Sequence, residues 1–269
     1  MHEMHESARP ADWGSFAAGF ARLRPPMRVS PSDAETMRAA IEGSDGEVLL
    51  LGVTPELAGL GKRLVAIDKE PRVIAEVWPG DDPQRRAVLA DWLDLPLEAE
   101  RFDAVIGDGS YNAVGNHAAE LLREVKRVLA PGGTVSLRVF CSPAKPESFD
   151  DISGDVTSGW NGNAHALAWR IGMALAPANH AWVVSLPEIA AAFDALFPDR
   201  EALCASTGWS GMDMAVFDRF AMAERSLAMP PQEVVLRSLE RVFSHCRAVS
   251  GSGYPLAERC PTFICSGKR

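Results

Sequence analysis

The chain has 269 residues, 47% of them hydrophobic and 23% charged, a composition that excludes a fibrous or intrinsically disordered protein. A formal net charge of −9 argues against a broad basic surface for nucleic-acid backbones. Five cysteines, an odd number with no CxxC pair, fit reduced thiols in a cytoplasm, and no apolar run approaches the length of a membrane span.

The chain opens Met1-His2-Glu3-Met4-His5-Glu6, without the apolar stretch of a signal peptide. Its histidines also lack the i, i+4 spacing of a zinc-binding H-E-x-x-H. Trp13, Phe16, Phe20 and Leu23 recur at near-helical spacing and predict an amphipathic segment that ends at Pro25-Pro26. Arg22, Arg24 and Arg28 are spread among apolar residues and read as a solvated face. Ser32-Asp33-Ala34-Glu35 has the pattern of a capping box and predicts a helix to about Glu42.

After the turn Gly43-Ser44-Asp45-Gly46, the apolar run from Glu47 to Leu51 stops at Gly52, and Val53-Thr54-Pro55-Glu56 then reads as a helix opening. A second apolar run, Leu64 to Ile67, ends on Asp68. Short apolar runs bounded by turn signals predict strands buried on both faces. Two of them with a helical segment between make a βαβ unit, and ligands bind beyond the carboxyl ends of such strands. Gly52 lets a ligand approach the backbone, and Asp68 offers acceptors to ribose hydroxyls. The expectation is a nucleoside-containing ligand.

A helix follows from Glu70 to Trp78, then a short strand from Arg86 to Ala90 leading into Asp91-Trp92. Phe102 to Gly107 predicts a strand ending at Asp108-Gly109-Ser110-Tyr111. Asn116 to Leu129 predicts a helix with Leu122 and Val125 on one face, and Thr134 to Phe140 a further strand. The alternation argues for an α/β sheet with helices on both faces. From Ser142 the pattern changes: a loop through Pro143, Pro146 and Gly154, a helix from Asn163 to Leu175, and a capping box at Ser185–Glu188 opening a helix to about Phe197. A helix from about Pro231 to Phe243 and strands near Cys246–Val249 and Thr262–Cys265 close the chain, the last two as a hairpin.

In their order and intervals, Gly52, Asp68, Asp91 and the turn Leu129-Ala130-Pro131-Gly132-Gly133-Thr134 resemble the class I S-adenosylmethionine-dependent methyltransferases, over roughly Glu47 to Phe140. The resemblance implies a doubly wound, mostly parallel, seven-stranded Rossmann-like sheet with helices on both faces. It implies an N-terminal helical cap (1–45), a cofactor-binding core (46–141), a mostly helical insertion or substrate lid after the fifth strand (142–230), and a C-terminal helix with the final core strands (231–269). S-adenosyl-L-methionine is the implied cofactor, contacted by Gly52, Val53, Thr54, Asp68, Lys69, Asp91, Trp92, Asp108, Gly109 and Ser110, with Asp68 on the ribose, Asp91 on the adenine amino group and Asp108 near the methionine ammonium.

The first loop departs from the family in keeping one glycine of the usual three, and G-x-G-x-x-G is absent, which counts against a dinucleotide-dependent dehydrogenase. Asp108-Gly109-Ser110-Tyr111 has the outline of the family's D/N-P-P-Y motif without its prolines. His117, His165 and His180 read as structural or solvated rather than as general bases. Trp13, Trp160, Trp169 and Trp209 read as core packing, a pattern that also suits a lid over a small apolar or aromatic substrate. The expectation is a cytoplasmic methyltransferase of a small molecule, with no metal, nucleic-acid or membrane partner. A nucleotide-dependent oxidoreductase and a non-enzymatic S-adenosylmethionine-binding protein stay open beside it.

Overall fold

A computed structural model describes residues 19–269. Trp13 and Phe16, and with them most of the expected N-terminal amphipathic segment, lie outside the described residues. Helix α1 (Pro31–Ala40) starts two residues earlier than the sequence pattern suggests. Its cap is Ser30, which accepts from the Asp33 amide while Asp33 reaches back to the Ser30 amide, and Pro31 sits at the first helical position, where its missing N–H costs nothing.

Nine strands follow in two sheets. Strands β1 (Glu47–Leu51), β2 (Arg63–Asp68), β3 (Arg85–Leu89), β4 (Phe102–Asp108), β5 (Leu129–Arg138), β8 (Phe243–Val249) and β9 (Thr262–Lys268) form one seven-stranded sheet in the order β3-β2-β1-β4-β5-β9-β8. Strands β1 to β5 run parallel, and β9 is antiparallel to both β5 and β8. The order reverses between β1 and β4, so a crevice opens beyond their carboxyl ends.

Alternate residues of the central strands feed two cores. Leu49, Leu51, Val65, Ile67, Val105 and Val135 pack under α4 (Ala118–Val128) and α10 (Gln232–Glu240), through Leu121, Val125, Val235 and Leu239. Val48, Leu50, Leu64, Ala66 and Ile106 pack under α1 through Ala34 and Met37. That two-sided burial is why these runs read as uninterrupted apolar sequence.

Helix α2 (Pro71–Val77) connects β2 to β3 as expected and the short helix α3 (Ser110–Ala113) follows β4, but the connection from β1 to β2 does not contain an α-helix. A single 3-10 turn, Pro55–Leu57, stands there. Gly59 and Gly61 stop it from growing, and Gly61 is held at φ +84 against Val48.

The region after β5 is helical: α5 (Phe149–Thr157), α6 (Ala164–Leu175), α7 (Leu186–Leu196), α8 (Arg200–Thr207) and α9 (Gly211–Ala221), with a two-stranded ribbon of β6 (Val183–Ser185) and β7 (Ser226–Ala228). The stretch expected to be a loop around Gly154 is helix α5, opened by a capping box between Ser148 and Asp151. These helices bury their own cluster, including Ile152, Leu167, Trp169, Phe193, Phe217 and Phe220. Glu147 ties this cluster to the sheet, taking a bidentate grip from Arg170 on α6 (2.7 Å) and a further bond from Arg259 before β9.

Burial opposes the Glu147 charge, but Arg259 and then Arg170 overcome it and hold the carboxyl at about 2. A folded-state value below the unfolded one gives stability that is complete above the unfolded value and is lost as pH falls toward the folded one. Glu147→Gln is therefore expected to lower the urea midpoint at pH 7 and to leave the two proteins alike near pH 2. An equal gap at both pH values contradicts this.

Candidate functional site

The carboxyl ends of β1, β2 and β3 bring together three features that lie far apart in sequence. Gly52 ends β1 at φ +106, a backbone region that L side chains rarely adopt. Its N–H donates to the Ile67 carbonyl (2.8 Å), and the Trp92 indole N–H donates to the same oxygen (2.6 Å). A side chain at Gly52 would meet the edge of the Trp92 ring at 3.8 Å, so the ring stands directly beside the glycine turn.

Asp68 is the last residue of β2, paired with Leu89 of β3, and its carbonyl accepts from Ala90 (3.0 Å). This places Asp68 and Asp91 at neighbouring strand tips. The Asp68 carboxylate is half-buried and accepts from the Glu70 amide (2.9 Å); burial pushes its pKa above the ordinary aspartate value, against that bond. Asp91 accepts from the Leu93 amide (3.0 Å), and Lys69 reaches its other oxygen at 3.6 Å.

The rest of the expected set is arranged differently. Val53 turns into the core beside Val29 and Leu57 rather than outward. Thr54 makes no capping bond and precedes the 3-10 turn, so the α-helix N-terminus expected beside it is not there. Asp108, at the tip of β4, is enclosed, and its carboxylate pairs with the Arg138 guanidinium at 2.6 Å. Burial raises its pKa, with Arg138 pulling the other way. Gly109 follows at φ +64 with the Phe140 ring so close that an added Cβ would lie 2.9 Å from it. Ser110 is buried, and its hydroxyl has no hydrogen-bond partner among the described residues.

Tyr111 and Asn112 spend their polar groups on the protein. The Tyr111 hydroxyl pairs with Ser238 (2.9 Å); Asn112 accepts from the Phe140 amide and donates to the Phe140 and Ala228 carbonyls. His117 is exposed beside Glu120.

The residue that sequence reasoning missed is Arg138. It ends β5 with its side chain fully enclosed, bonded to Asp108, to Asp33 of α1 (3.2 Å), to the Pro26 carbonyl (2.7 Å) and to the Tyr254 hydroxyl. The signal was present: an arginine inside the apolar run Val135 to Phe140 must find buried partners. The segment that supplies Pro26 also covers the crevice with Arg28, which pairs with Glu56 and lies over the Phe20 ring at 5.4 Å. Arg28 is thus engaged, while Arg22 and Arg24 are exposed as expected.

The fold is a doubly wound α/β domain with a glycine turn and two neighbouring carboxylates at its switch-point crevice, the place where such sheets bind ligands. Residues 52–137 match a family model described as a methyltransferase domain. The ubiquinone/menaquinone biosynthesis C-methyltransferase of Ectopseudomonas mendocina is 29% identical over 140 residues; the match spans about half the length of that curated relative and half of this chain.

Among solved structures, a candidate S-adenosyl-L-methionine-dependent methyltransferase of Methanococcus maripaludis aligns with a TM-score of 0.50, at 16% identity, over 99% of this chain and 98% of its own. A candidate zinc-dependent alcohol dehydrogenase of Rhodobacter sphaeroides aligns with a TM-score of 0.57, at 14% identity, over 97% of this chain and 100% of its own. At these identities the likenesses show the fold alone. The match over residues 52–137 supports a class I S-adenosylmethionine-dependent methyltransferase, a family whose cofactor is S-adenosylmethionine. Among the described residues no group of three or more His, Cys, Asp or Glu side chains is placed to hold a metal ion, and no helix is long and apolar enough to cross a membrane.

Proposed function

We propose that this protein transfers a methyl group from S-adenosylmethionine to a small-molecule acceptor. The observation that carries the reading is the meeting of Gly52, Asp68 and Asp91-Trp92 at adjacent strand tips. The residues present fit the nucleoside end of the cofactor. Asp68 would accept from the ribose hydroxyls, Asp91 from the adenine amino group, and the Trp92 ring would offer an apolar face. At the methionine end the fit changes: Arg138 already neutralises Asp108, and the orphaned Ser110 hydroxyl is the polar group at the β4 tip that lacks a partner. Lys69 stands 3.6 Å from Asp91 as an exposed ion pair beside the two tips.

When bound, the cofactor supplies an electrophilic methyl on a sulfonium that is already a good leaving group. The chain's own contribution is then orientation and the exclusion of water, and positioning supplies roughly 7–11 kcal/mol in favourable cases. The 19–29 segment and helices α5–α9 would provide the cover. The net charge of −9 favours a small acceptor over a nucleic acid.

The test is transfer of an isotopically labelled methyl group from S-adenosylmethionine to a panel of small phenols, amines and carbon acids. Labelled product from at least one class is expected. Tight cofactor binding with no transfer to any class overturns the enzymatic reading in favour of a binding protein.

A further inference from the structure

Helix α6 carries two buried polar groups with nothing to bond. His165 and Trp169 lie at i and i+4 and so share one face; each is more than nine-tenths buried. Neither His165 Nδ1 nor Trp169 Nε1 has a hydrogen-bond partner among the described residues. A buried donor or acceptor left unpaired costs about 1–3 kcal/mol, so two on one helix face point to a partner that completes them.

The surroundings show what kind. The Trp169 ring is 5.3 Å from Phe140 and 5.8 Å from Phe220. Phe140 also presses on Gly109 at the tip of β4, so this aromatic group continues into the crevice where the methyl donor would lie. Next to Phe220 on α9 stands Arg219. Its guanidinium is half-buried against Gly19 and makes no ion pair or hydrogen bond among the described residues. Burial and the neighbouring Arg22 both lower its pKa, so its charge is opposed from two sides and offset only by the adjacent Asp218, which Arg200 already holds. Asp213, the carboxylate that faces His165, is committed to the Ser210 cap. Burial and the charges of Arg219 and Arg24 keep His165 neutral, with a pKa of about 4.

We propose that the faces of α6 and α9 around Trp169, His165, Phe220 and Arg219 bind the acceptor, and that the acceptor is a planar aromatic compound bearing a carboxylate. The rings of Phe140, Trp169 and Phe220 take its apolar body. The Trp169 N–H and the neutral His165 imidazole bond its polar substituents, and Arg219 pairs with the carboxylate. Naming the ligand an acceptor rests on the methyltransferase reading; the aromatic-anion site itself does not.

The probes are 4-hydroxybenzoate and its uncharged methyl ester, titrated by calorimetry into the full chain, with S-adenosylhomocysteine titrated into the same samples. The acid is expected to bind at least tenfold tighter than the ester. Arg219→Gln is expected to remove that preference by weakening the acid alone, Arg219→Lys to keep part of it, and Trp169→Phe to weaken both probes severalfold. Equal binding of acid and ester, binding of neither, or an Arg219→Gln protein indistinguishable from the parent overturns the proposal. Acid binding that emerges only when Glu3, Glu6 and Asp12 are changed to Gln, Gln and Asn would assign Arg219 to an internal ion pair and overturn it equally. Failure of S-adenosylhomocysteine to bind while the acid preference persists would sink the cofactor reading alone.

Discussion

Arg138→Met is expected to destabilise the protein by about 3–5 kcal/mol, because it strands two enclosed carboxylates, Asp33 and Asp108, without their shared cation. Domains of this kind are stable by about 5–15 kcal/mol, so the loss is a large share of the total. It is also structural in reach. Arg138 joins β5 to β4, to α1, to the Pro26 carbonyl of the covering segment and to Tyr254, whose hydroxyl in turn donates to Asp33 at 3.1 Å. The double variant Arg138→Met, Asp108→Asn removes one stranded charge and should recover part of the loss. The penalty should also shrink on acidification, as the buried Asp108 carboxyl, already raised by burial, takes up a proton. Urea midpoints for the parent and both variants check this. A cost below about 1 kcal/mol, within the range of an exposed ion pair, would show that the cluster is not the enclosed network described.

Asp68→Ala is expected to weaken S-adenosylhomocysteine binding by one to two orders of magnitude while barely moving stability. A charge-assisted hydrogen bond contributes about 1.5–3 kcal/mol, and each 1.4 kcal/mol is tenfold in affinity. The half-buried carboxylate makes one backbone bond, to Glu70, whose loss costs the fold on the order of 1 kcal/mol. Asp68→Asn keeps an acceptor without the charge and should fall between. Since burial raises the Asp68 pKa, affinity should decline on acidification at a higher pH than an ordinary aspartate would dictate. A variant that loses stability and binding together would make Asp68 a structural residue.

The strands were legible in the sequence because each central strand is buried on both faces. Val48–Leu51 and Leu64–Ile67 therefore carry no polar interruption, and the turn residues around them mark their ends. The tips Gly52, Asp68 and Asp91 were legible for the same reason: in a parallel sheet the residue after the apolar run is the one that faces the crevice. The Arg138 network was not. Its partners come from positions 26, 33, 108 and 254, and no local pattern records contacts that chain folding brings together.

Helix α5, expected as a loop, and helix α9, which was not among the expected elements, carry a weaker signal. Both begin with a Ser whose capping partner three residues on is Asp rather than Glu, Asp151 and Asp213, and the shorter side chain closes the same reciprocal pair. The helix expected after Gly52 was undone by Gly59 and Gly61, which end the segment after one 3-10 turn.

The central claim is that the Asp68 carboxylate grips the sugar of a sulfonium nucleoside at the tip of β2. Its most direct test is a calorimetric double-mutant cycle: S-adenosylhomocysteine and its 2′-deoxy analogue, each titrated into the parent protein and into Asp68→Ala. Deleting the hydroxyl should cost the parent about tenfold or more and cost the variant little, because the bond is already gone. An equal loss in both proteins, or a parent that binds neither compound, would contradict the account.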